Sequence, residues 1–365
     1  MLLMEGETRI PSGCAIVGLI SRKGRMIPGD TAVKAIAVMH DRSNGLGGGF
    51  AGYGIYPQYK DLYAFHIFYY NQKAKEQTEE FLNSHFDIEC LNNIEIRRLP
   101  NIIDEPVIMR YFVAPAQLKL KSSQLDEREF VARCVIRINS EIDGAYVFSS
   151  GKNMGVFKAV GYPEDVGEFY RLEEYQGYSW TAHGRYPTNT PGWWGGAHPF
   201  GLLDYTIVHN GEISSYDANR RFLEMYGYRC KLLTDTEVIT YIFDYLNRRS
   251  GLPLEEISNI VCARFWDEID RMPEEERRKH EAYRSVYSSL LINGPFSIIL
   301  GFSGGIMALN DRLKLRSMVA AEKDDMVYVA SEECAIREIC PSPDRVWSPR
   351  GGEPVIARLE EGGRN

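Results

Sequence analysis

The sequence predicts an α+β fold in which many short strands alternate with amphipathic helices. Apolar runs of strand length recur along the chain, as in AIVGLIS (15–21) and FSIILGFSG (296–304). Helical spacing of apolar side chains follows other segments, for example Val238, Ile242 and Leu246. Strand-length runs mixed with helical periods in one chain are typical of folds that pack helices on sheets.

Composition restricts the classes of function. The chain has 365 residues, of which 44% are hydrophobic and 25% charged, as in ordinary globular proteins. This length fits two domains, or one large domain with an insertion. The net charge of −8 lacks the positive field that nucleic acids or anionic membranes attract, so we expect neither as a partner.

Location is also restricted by sequence. No apolar run approaches the roughly 18 residues of a membrane span, and residues 1–13 lack the apolar centre of a secretory signal. The seven cysteines are scattered, with no CxxC pair. A disulfide framework and a zinc site are therefore poorly supported, and we expect buried free thiols in a reducing cytoplasm.

A different pattern begins near residue 58. The strand-like LYAFHIFYYN precedes a helical stretch, the strand-like runs IEIRRL and PVIMRYFVAP, a charged helical stretch and the strand-like AYVFSS. The order strand–helix–strand–strand–helix–strand is that of a ferredoxin-like unit. We predict an inserted ferredoxin-like α/β subdomain at 58–150, which divides a larger domain into 14–57 and 151–360.

Several local motifs are ambiguous when taken singly. The glycine-rich DRSNGLGGGFAGYGI lacks the spacing of a phosphate-binding loop and reads as a turn that leads into a strand. Asn210-Gly211 more often marks a hairpin turn than a site. Thr234 and Glu237 have the spacing of a capping box at a helix start.

The order of the motifs is more specific than any one of them. Cys14 opens an apolar strand, and four short blocks follow it: HGRYPT (183–188), AHPF (197–200), HNGEI (209–213) and TDTE (234–237). In this order the blocks resemble the class II glutamine amidotransferases, which are N-terminal-nucleophile hydrolases. The resemblance implies a four-layer αββα sandwich, with 14–57 and 151–360 as the amidotransferase domain. It also implies hydrolysis of glutamine to glutamate and ammonia through a γ-glutamyl thioester on Cys14.

A thiol attacks an amide as thiolate, or with a base beside it. If Cys14 is the first residue, its own α-amine, with an ordinary pKa of about 7.7–8.0, can take the thiol proton. This requires removal of residues 1–13 as a leader, and Gly13 crowds the scissile carbonyl least. The simpler alternative is that Cys14 is one more buried thiol at the start of a strand.

The resemblance assigns the remaining roles in the site. Asn210 and Gly211 donate to the oxyanion, Arg185 binds the α-carboxylate of glutamine and Asp235 binds its α-ammonium. The chemistry suits these types, because a fork-shaped cation fits a carboxylate and a helix N-terminus favours an ionised Asp. The simpler alternatives are an Asn-Gly turn, a surface ion pair and compensation of a helix dipole.

Other residues of the blocks receive secondary roles. The resemblance places Tyr186 and Thr188 with the substrate-binding residues, and gives Arg42, His198 and His209 supporting roles. The spacing between His183, His198 and His209 matches no compact metal-ligand pattern, so we predict hydrogen-bonding histidines and no metal.

The tryptophans between HGRYPT and AHPF leave two interpretations open. Trp193 and Trp194 lie in a region that folds over glutamine in the family. Hydrophobic packing against the insertion explains them equally well.

The stretches DRSNGLGGGFAGYGIYP, GYPEDV and HGRYPTNTPGWWGGAHPFGLLD are most similar to the free-standing amidotransferase subunit of split glutamate synthases. The resemblance implies no cofactor in this chain and a separate glutamate synthase subunit with FMN and an iron–sulfur cluster, which takes the ammonia. Two alternatives remain: an amidase of the same fold that acts on another amide, and a non-catalytic regulatory subunit.

Overall fold

A computed structural model describes residues 13–186 and 192–360. The strands in these ranges are β1 (Ala15–Ser21), β2 (Ile27–Pro28), β3 (Gly48–Tyr53), β4 (Tyr63–Tyr69), β5 (Phe86–Asn93), β6 (Val107–Pro115), β7 (Ala145–Ser149), β8 (Met154–Ala159), β9 (Gln176–Gly177), β10 (Ser179–Gly184), β11 (Phe200–Leu202), β12 (Tyr205–Gly211), β13 (Phe296–Phe302), β14 (Gly305–Asn310), β15 (Val319–Lys323), β16 (Met326–Ala330), β17 (Arg345–Trp347) and β18 (Val355–Arg358).

The α-helices of the described residues are α1 (Gly29–Ala37), α2 (Gln72–His85), α3 (Gln117–Ser123), α4 (Glu127–Glu141), α5 (Pro163–Phe169), α6 (Tyr216–Met225), α7 (Asp235–Phe243), α8 (Leu254–Val261), α9 (Trp266–Ile269), α10 (Glu274–Val286) and α11 (Glu333–Ile339). A π-helical turn, Asp244–Arg249, continues α7.

Two antiparallel sheets form the centre of the molecule. One has seven strands in the order β17-β15-β16-β1-β10-β3-β8, and the other has five in the order β11-β12-β13-β14-β18. Ile16 and Ile20 of β1 belong to an apolar cluster with Val208, Ile299 and Ile306 of the second sheet. Alternate side chains of one strand face opposite sides of its sheet, so β1 packs on the second sheet with this set.

The other faces of the two sheets are covered by helices. Val17 and Leu19 of β1 pack in a cluster with Ala32 and Ile36 of α1. Helices α1, α5 and α11 contact the seven-stranded sheet, and α7 lies on β11 and β12 of the five-stranded sheet. Because both faces of β1 are covered, its whole run AIVGLIS is buried. The four-layer αββα sandwich that the family resemblance implies is confirmed.

A third, four-stranded sheet lies between β3 and β8 in the chain. Its order is β5-β6-β4-β7 with antiparallel pairs, and α2 and α4 connect strands as in a ferredoxin-like unit. Helix α4 begins at an Asp126 cap whose carboxylate accepts from the Glu129 N–H at 3.0 Å. The inserted unit of the predicted fold class is thus present, while the exact boundaries 58–150 stay a prediction.

Three local predictions were wrong. The second strand of the insertion is β5, directly after α2, and not IEIRRL. After the buried Phe86, exposed residues of β5 alternate with half-buried ones. The run YRCKLL (228–233), whose composition also predicts a strand, forms none. Thr234 caps α7 through the Thr236 N–H at 3.3 Å. Glu237 does not close a capping box, because its Oε2 accepts from the Leu232 N–H at 3.0 Å.

All seven cysteines lie in the described ranges and carry free thiols, but Cys334 is exposed, and Cys14 and Cys90 are only partly buried. The expectation of uniformly buried thiols is therefore wrong for these three. No helix of the described ranges combines the length and the apolar character that crossing a membrane would take.

Candidate active site

Strand pairing brings Cys14 to the HGRYPT block. Cys14 lies directly before β1, Arg185 directly after β10, and the two strands are neighbours with Ala15 opposite Gly184. The backbone N–H of Tyr186 donates to Cys14 Sγ at 3.3 Å. The thiol therefore lies at the end of the sandwich where β10 finishes.

Asn210 reaches the same end from the other sheet. It is 1% exposed, and neither polar atom of its side chain has a hydrogen-bond partner among the described residues. A Cβ built on Gly13 would lie 3.5 Å from Asn210 Oδ1. Buried polar groups are almost always paired, so an amide like this beside the thiol is a ready donor for a bound group.

The backbone at Gly211 excludes any other residue. Its φ is +147°, and a Cβ there would lie 2.0 Å from the carbonyl oxygen of Pro295. Gly211 is the last residue of β12 and pairs with Phe296 of β13. The Asn-Gly pair therefore ends a strand next to the site and is not a hairpin turn.

Asp235 is the first residue of α7 and is held by three groups. Its Oδ2 accepts from the Ile213 N–H at 3.2 Å, and its Oδ1 lies 3.5 Å from His209 Nδ1 and 3.3 Å from Thr236 Oγ1. Burial by itself raises the pKa of Asp235, but His209 and these donors outweigh it, so the pKa lies below its ordinary value. The carboxylate is ionised at neutral pH.

Arginines supply positive charge around the thiol. Arg185 is 7% exposed, and burial lowers its pKa against the attraction of Cys14 and Asp235. Arg42 lies in the short turn after α1, where its Nε is 3.4 Å from the Cys14 carbonyl oxygen and its Nη1 pairs with Glu332 at 2.7 Å.

The Cys14 thiol responds to these charges. Burial raises the pKa of Cys14, and the charge of Asp235 also raises it. The Tyr186 N–H and the guanidinium groups of Arg185 and Arg316 lower it. The net shift of the pKa is upward. The thiol with its leader attached is thus mostly protonated, and it needs a base before it can attack.

The three histidines of the blocks form one buried cluster behind Asp235. His183 Nε2 lies 3.0 Å from the His209 carbonyl oxygen, and the rings of His183 and His198 are in tilted contact, with centroids 4.0 Å apart and planes at 36°. Thr236 Oγ1 is 3.2 Å from both His198 Nε2 and His209 Nδ1. Burial lowers the pKa of His183 to about 3 and that of His198 well below its usual range. These two rings are neutral hydrogen-bonding groups at neutral pH.

The tryptophan segment packs on the insertion. Trp194 is 2% exposed, lies edge-on to Phe68 of β4 with ring centroids 5.6 Å apart, and donates from Nε1 to the Ile103 carbonyl at 3.1 Å. Trp193 lies 6.2 Å from the ring of Tyr146. Packing against the insertion, one of the two open interpretations, therefore accounts for Trp194.

The burial of two ionisable groups was not predicted from the sequence. Lys158 of β8 is fully buried and donates from Nζ to the carbonyls of Gly195 and Ala197, both at 2.9 Å, and burial lowers its pKa well below the ordinary value. Glu237 is 2% exposed, and burial raises its pKa from 4.5 to about 7. The single cation in the apolar run VFKAVGYP was a usable signal for Lys158.

The structure thus gathers most of the predicted site residues at one end of the sandwich. The Cys14 thiol is surrounded by six of them: Arg42, Arg185, Tyr186, Asn210, Gly211 and Asp235. Two more, His198 and His209, lie behind Asp235. Thr188 lies outside the described residues. In the described ranges no group of His, Cys, Asp and Glu side chains has an arrangement that could hold a metal ion.

A four-layer sandwich with a cysteine at the start of a central strand defines a class of amide-cleaving hydrolase folds. The family model of the class II glutamine amidotransferases matches residues 57–343. The chain belongs to that family, and the resemblance noted in its motifs is confirmed.

The chain is similar to several proteins over more than two thirds of its length. An uncharacterised protein of Archaeoglobus fulgidus is 51% identical over 350 residues, which cover 95% of this chain and 92% of the relative. A putative glutamine amidotransferase of Methanothermobacter thermautotrophicus is 28% identical over 69% of this chain and 78% of its own length. A solved glutamine phosphoribosylpyrophosphate amidotransferase from B. subtilis aligns over 94% of this chain and 47% of its own, with 13% identity and a TM-score of 0.47.

Glu237 should make stability depend on pH. Since its pKa is about 7 in the fold against 4.5 as the ordinary value, the folded state binds the extra proton, and this stabilisation is lost as the pH rises from about 4.5 through 7. The parent should therefore lose up to about 3 kcal/mol of its free energy of unfolding over this range, and Glu237→Gln should not. The difference in thermal midpoint, variant minus parent, should become more positive from pH 5 to pH 8.

The matched control is Glu275→Gln, on the exposed helix α10. Its midpoint should follow the parent at both pH values. A Glu237→Gln variant that follows the parent in the same way contradicts the assigned protonation.

Proposed function

We propose that this chain is the glutaminase subunit of a glutamate synthase, with Cys14 as nucleophile after removal of residues 1–13. The observation that carries the glutaminase part is the convergence of separate segments on one thiol. They supply the Tyr186 N–H at 3.3 Å, the Asn210 amide, which has no hydrogen-bond partner among the described residues, and the Arg185 and Asp235 charges that act on Cys14. A free amino acid with a side-chain amide matches this set.

Substrate binding uses the two opposite charges. Arg185 pairs with the α-carboxylate of glutamine, and Asp235, held ionised by His209 and the Ile213 N–H, pairs with its α-ammonium. The side-chain amide then lies towards Cys14. Fixing both ends of a small zwitterion orients the reacting carbonyl, which supplies much of the rate advantage.

The reaction proceeds in two balanced steps. The Cys14 α-amine takes the thiol proton, Sγ bonds to the amide carbon, and the oxyanion accepts hydrogen bonds from the Asn210 amide and the Gly211 N–H. The C–N bond breaks, and ammonia leaves with the proton that the α-ammonium returns. Water then attacks the thioester, with the amine again as base, and releases glutamate and the free thiol.

Exchange of either charged ligand should weaken the reaction strongly. Arg185→Lys keeps the charge but loses the fork, and Asp235→Asn removes the anion. Loss of a partner to a desolvated charge costs about 2–5 kcal/mol, so kcat/KM for glutamine should fall about 30-fold or more, with a raised KM for Asp235→Asn. The measurement is ammonia release at varied glutamine concentration.

Two residues of α6, the half-buried Arg220 and the exposed Asp217, give matched controls. Arg220→Lys and Asp217→Asn make the same chemical changes in an ion pair on the surface. Their kinetics should equal those of the parent chain. If the variants at 185 and 235 also behave like the parent, these residues do not bind the substrate.

Leader removal is tested by mass. We expect active protein to begin at Cys14, because the base in this mechanism is an α-amine that the intact chain does not offer. Intact-mass analysis of protein with measured glutaminase activity decides the matter. Full retention of residues 1–13 in fully active protein would show that another group is the base.

The glutamate synthase part is supported by the similarity of DRSNGLGGGFAGYGIYP, GYPEDV and the HGRYPT region to the free-standing amidotransferase subunit of split glutamate synthases. In this proposal the partner subunit carries FMN and an iron–sulfur cluster and adds the ammonia to 2-oxoglutarate. Free ammonia is mostly protonated at neutral pH and then no longer a nucleophile, so production should be coupled to a docked acceptor.

We therefore expect low glutaminase activity of the chain alone and a rise when the synthase subunit is added, with glutamate formed from glutamine, 2-oxoglutarate and a reductant. If the chain turns over fully alone and the subunit neither binds it nor uses its nitrogen, the partner assignment is wrong. Hydrolysis of amides other than glutamine would then favour the amidase alternative, and a chain inactive on every amide would favour a regulatory subunit.

A further inference from the structure

Arg316, which no motif singled out, lies beside the nucleophile. A Cβ built on Gly13 would lie 3.5 Å from Arg316 Nη1 and from Asn210 Oδ1, and 3.7 Å from Arg42 Nη2. Gly13 thus occupies a space bounded by two guanidinium groups and an amide oxygen. This is the space in which the α-amino group of Cys14 appears if the Gly13–Cys14 bond is cut.

The loop that carries Arg316 is well fixed. It follows β14, and Asn310 Nδ2 donates to the Arg316 carbonyl at 2.8 Å. Asp311 accepts from the backbone N–H groups of Leu313 and Leu315, both at 2.9 Å, and from that of Phe296 at 3.2 Å. The backbone from which the Arg316 side chain extends is therefore fixed.

The charge of Arg316 has no counter-ion among the described residues. Its Nε is buried without a hydrogen-bond partner there, and no described carboxylate lies within ion-pair distance. Arg42, by contrast, pairs with Glu332 at 2.7 Å. Of these two arginines next to Gly13, Arg316 thus presents the less compensated charge to the thiol.

We propose that Arg316 is a positioning residue for glutamine hydrolysis, whose uncompensated charge keeps the α-amine of mature Cys14 unprotonated and so able to accept the thiol proton. This inference rests on the proposed function, since the amine exists only after the leader is removed. A cation a few ångströms from an amine disfavours the ammonium form, and it favours the thiolate for the same reason.

The other charged groups that face Cys14 come from several elements. Arg42 with its partner Glu332 lies beside the Cys14 carbonyl, Arg185 follows β10, and Asp235 begins α7 with His209 behind it. Asp235 favours the protonated forms of the Cys14 thiol and amine, whereas the arginines disfavour them, but in the proposed complex Asp235 pairs with the substrate ammonium. The proposed binding of glutamine does not use Arg316.

The expected effect is a shift of the acid limb in the pH profile of kcat/KM. Thiol and amine titrate as a pair, and loss of a nearby cation makes the pair hold its first proton more tightly, whichever atom carries it. In Arg316→Gln the acid limb should therefore move upward by about one pH unit. Arg316→Lys, which retains the charge, should stay close to the parent.

The experiment uses mature chains with Cys14 confirmed as first residue by mass, and measures glutamine hydrolysis from pH 5 to pH 9 at constant ionic strength. The control is Lys314→Gln, which removes a charge from the same loop; Lys314 Nζ bonds Ser348 and the Pro349 carbonyl, away from Cys14. An acid limb of Arg316→Gln that coincides with that of Lys314→Gln overturns the inference.

A second readout separates this inference from the proposed function. The pH dependence of Cys14 alkylation by iodoacetamide, read on the Cys14 peptide, reports the thiolate without any substrate. An upward shift of its midpoint in Arg316→Gln supports the role of Arg316 even if the parent hydrolyses no glutamine, a result that would remove only the proposed function. An unchanged midpoint overturns the role of Arg316 even if the parent is fully active.

Discussion

The antiparallel pairing of β1 with β10 is the constraint on which the site depends. With Ala15 opposite Gly184, the residue before β1 and the residues after β10 must lie side by side. A shift of one residue would move the side chains of β1 to the wrong faces, and both faces are buried. The hydrophobic cores on the two sides of this sheet therefore fix the position of the Cys14 thiol beside Tyr186.

The facing sheet is positioned by the same apolar contacts. Ile16 and Ile20 pack against Val208 and Ile299, which belong to β12 and β13. Because β12 is thereby fixed against β1, its last two residues, Asn210 and Gly211, reach the nucleophile end. The packing of the sandwich thus determines the geometry of the candidate oxyanion donors, and no long loop has to hold them.

Sequence patterns predicted the parts of the fold that local chemistry decides. The run AIVGLIS reads as a strand because both of its faces are apolar, and Tyr216–Met225 ends before Gly227, whose φ of +86° suits a helix stop. YRCKLL looked equally strand-like but finds no partner strand, since pairing depends on the tertiary arrangement. The second strand of the insertion was misplaced because β5 alternates polar and apolar residues and resembles the end of the helix before it.

In the site, too, some residues could be predicted from local sequence and others only from the tertiary structure. The order of blocks pointed to Cys14, Arg185, Asn210, Gly211 and Asp235, because each lies in a short motif of recognisable composition. Arg316 lies in ALNDRLKLRSMVA, which holds two other basic residues, Arg312 and Lys314, and only the folded loop shows which of these cations lies beside Gly13. Likewise, the contact of His183 with His198 follows from strand packing and not from their spacing.

The balance of charge explains how such a site remains usable. Arg42, Arg185 and Arg316 act near one thiol, and among the described residues Asp235 and Glu332 are the carboxylates whose contacts there are known. Partly desolvated cations repel one another, which opposes folding. In the proposed reaction glutamine brings a carboxylate, the thiol becomes a thiolate and the carbonyl becomes an oxyanion, and each of these is negative. The excess of arginine is thus least favourable in the empty site and most favourable when the oxyanion forms, which is the condition for stabilising a transition state more than the ground state.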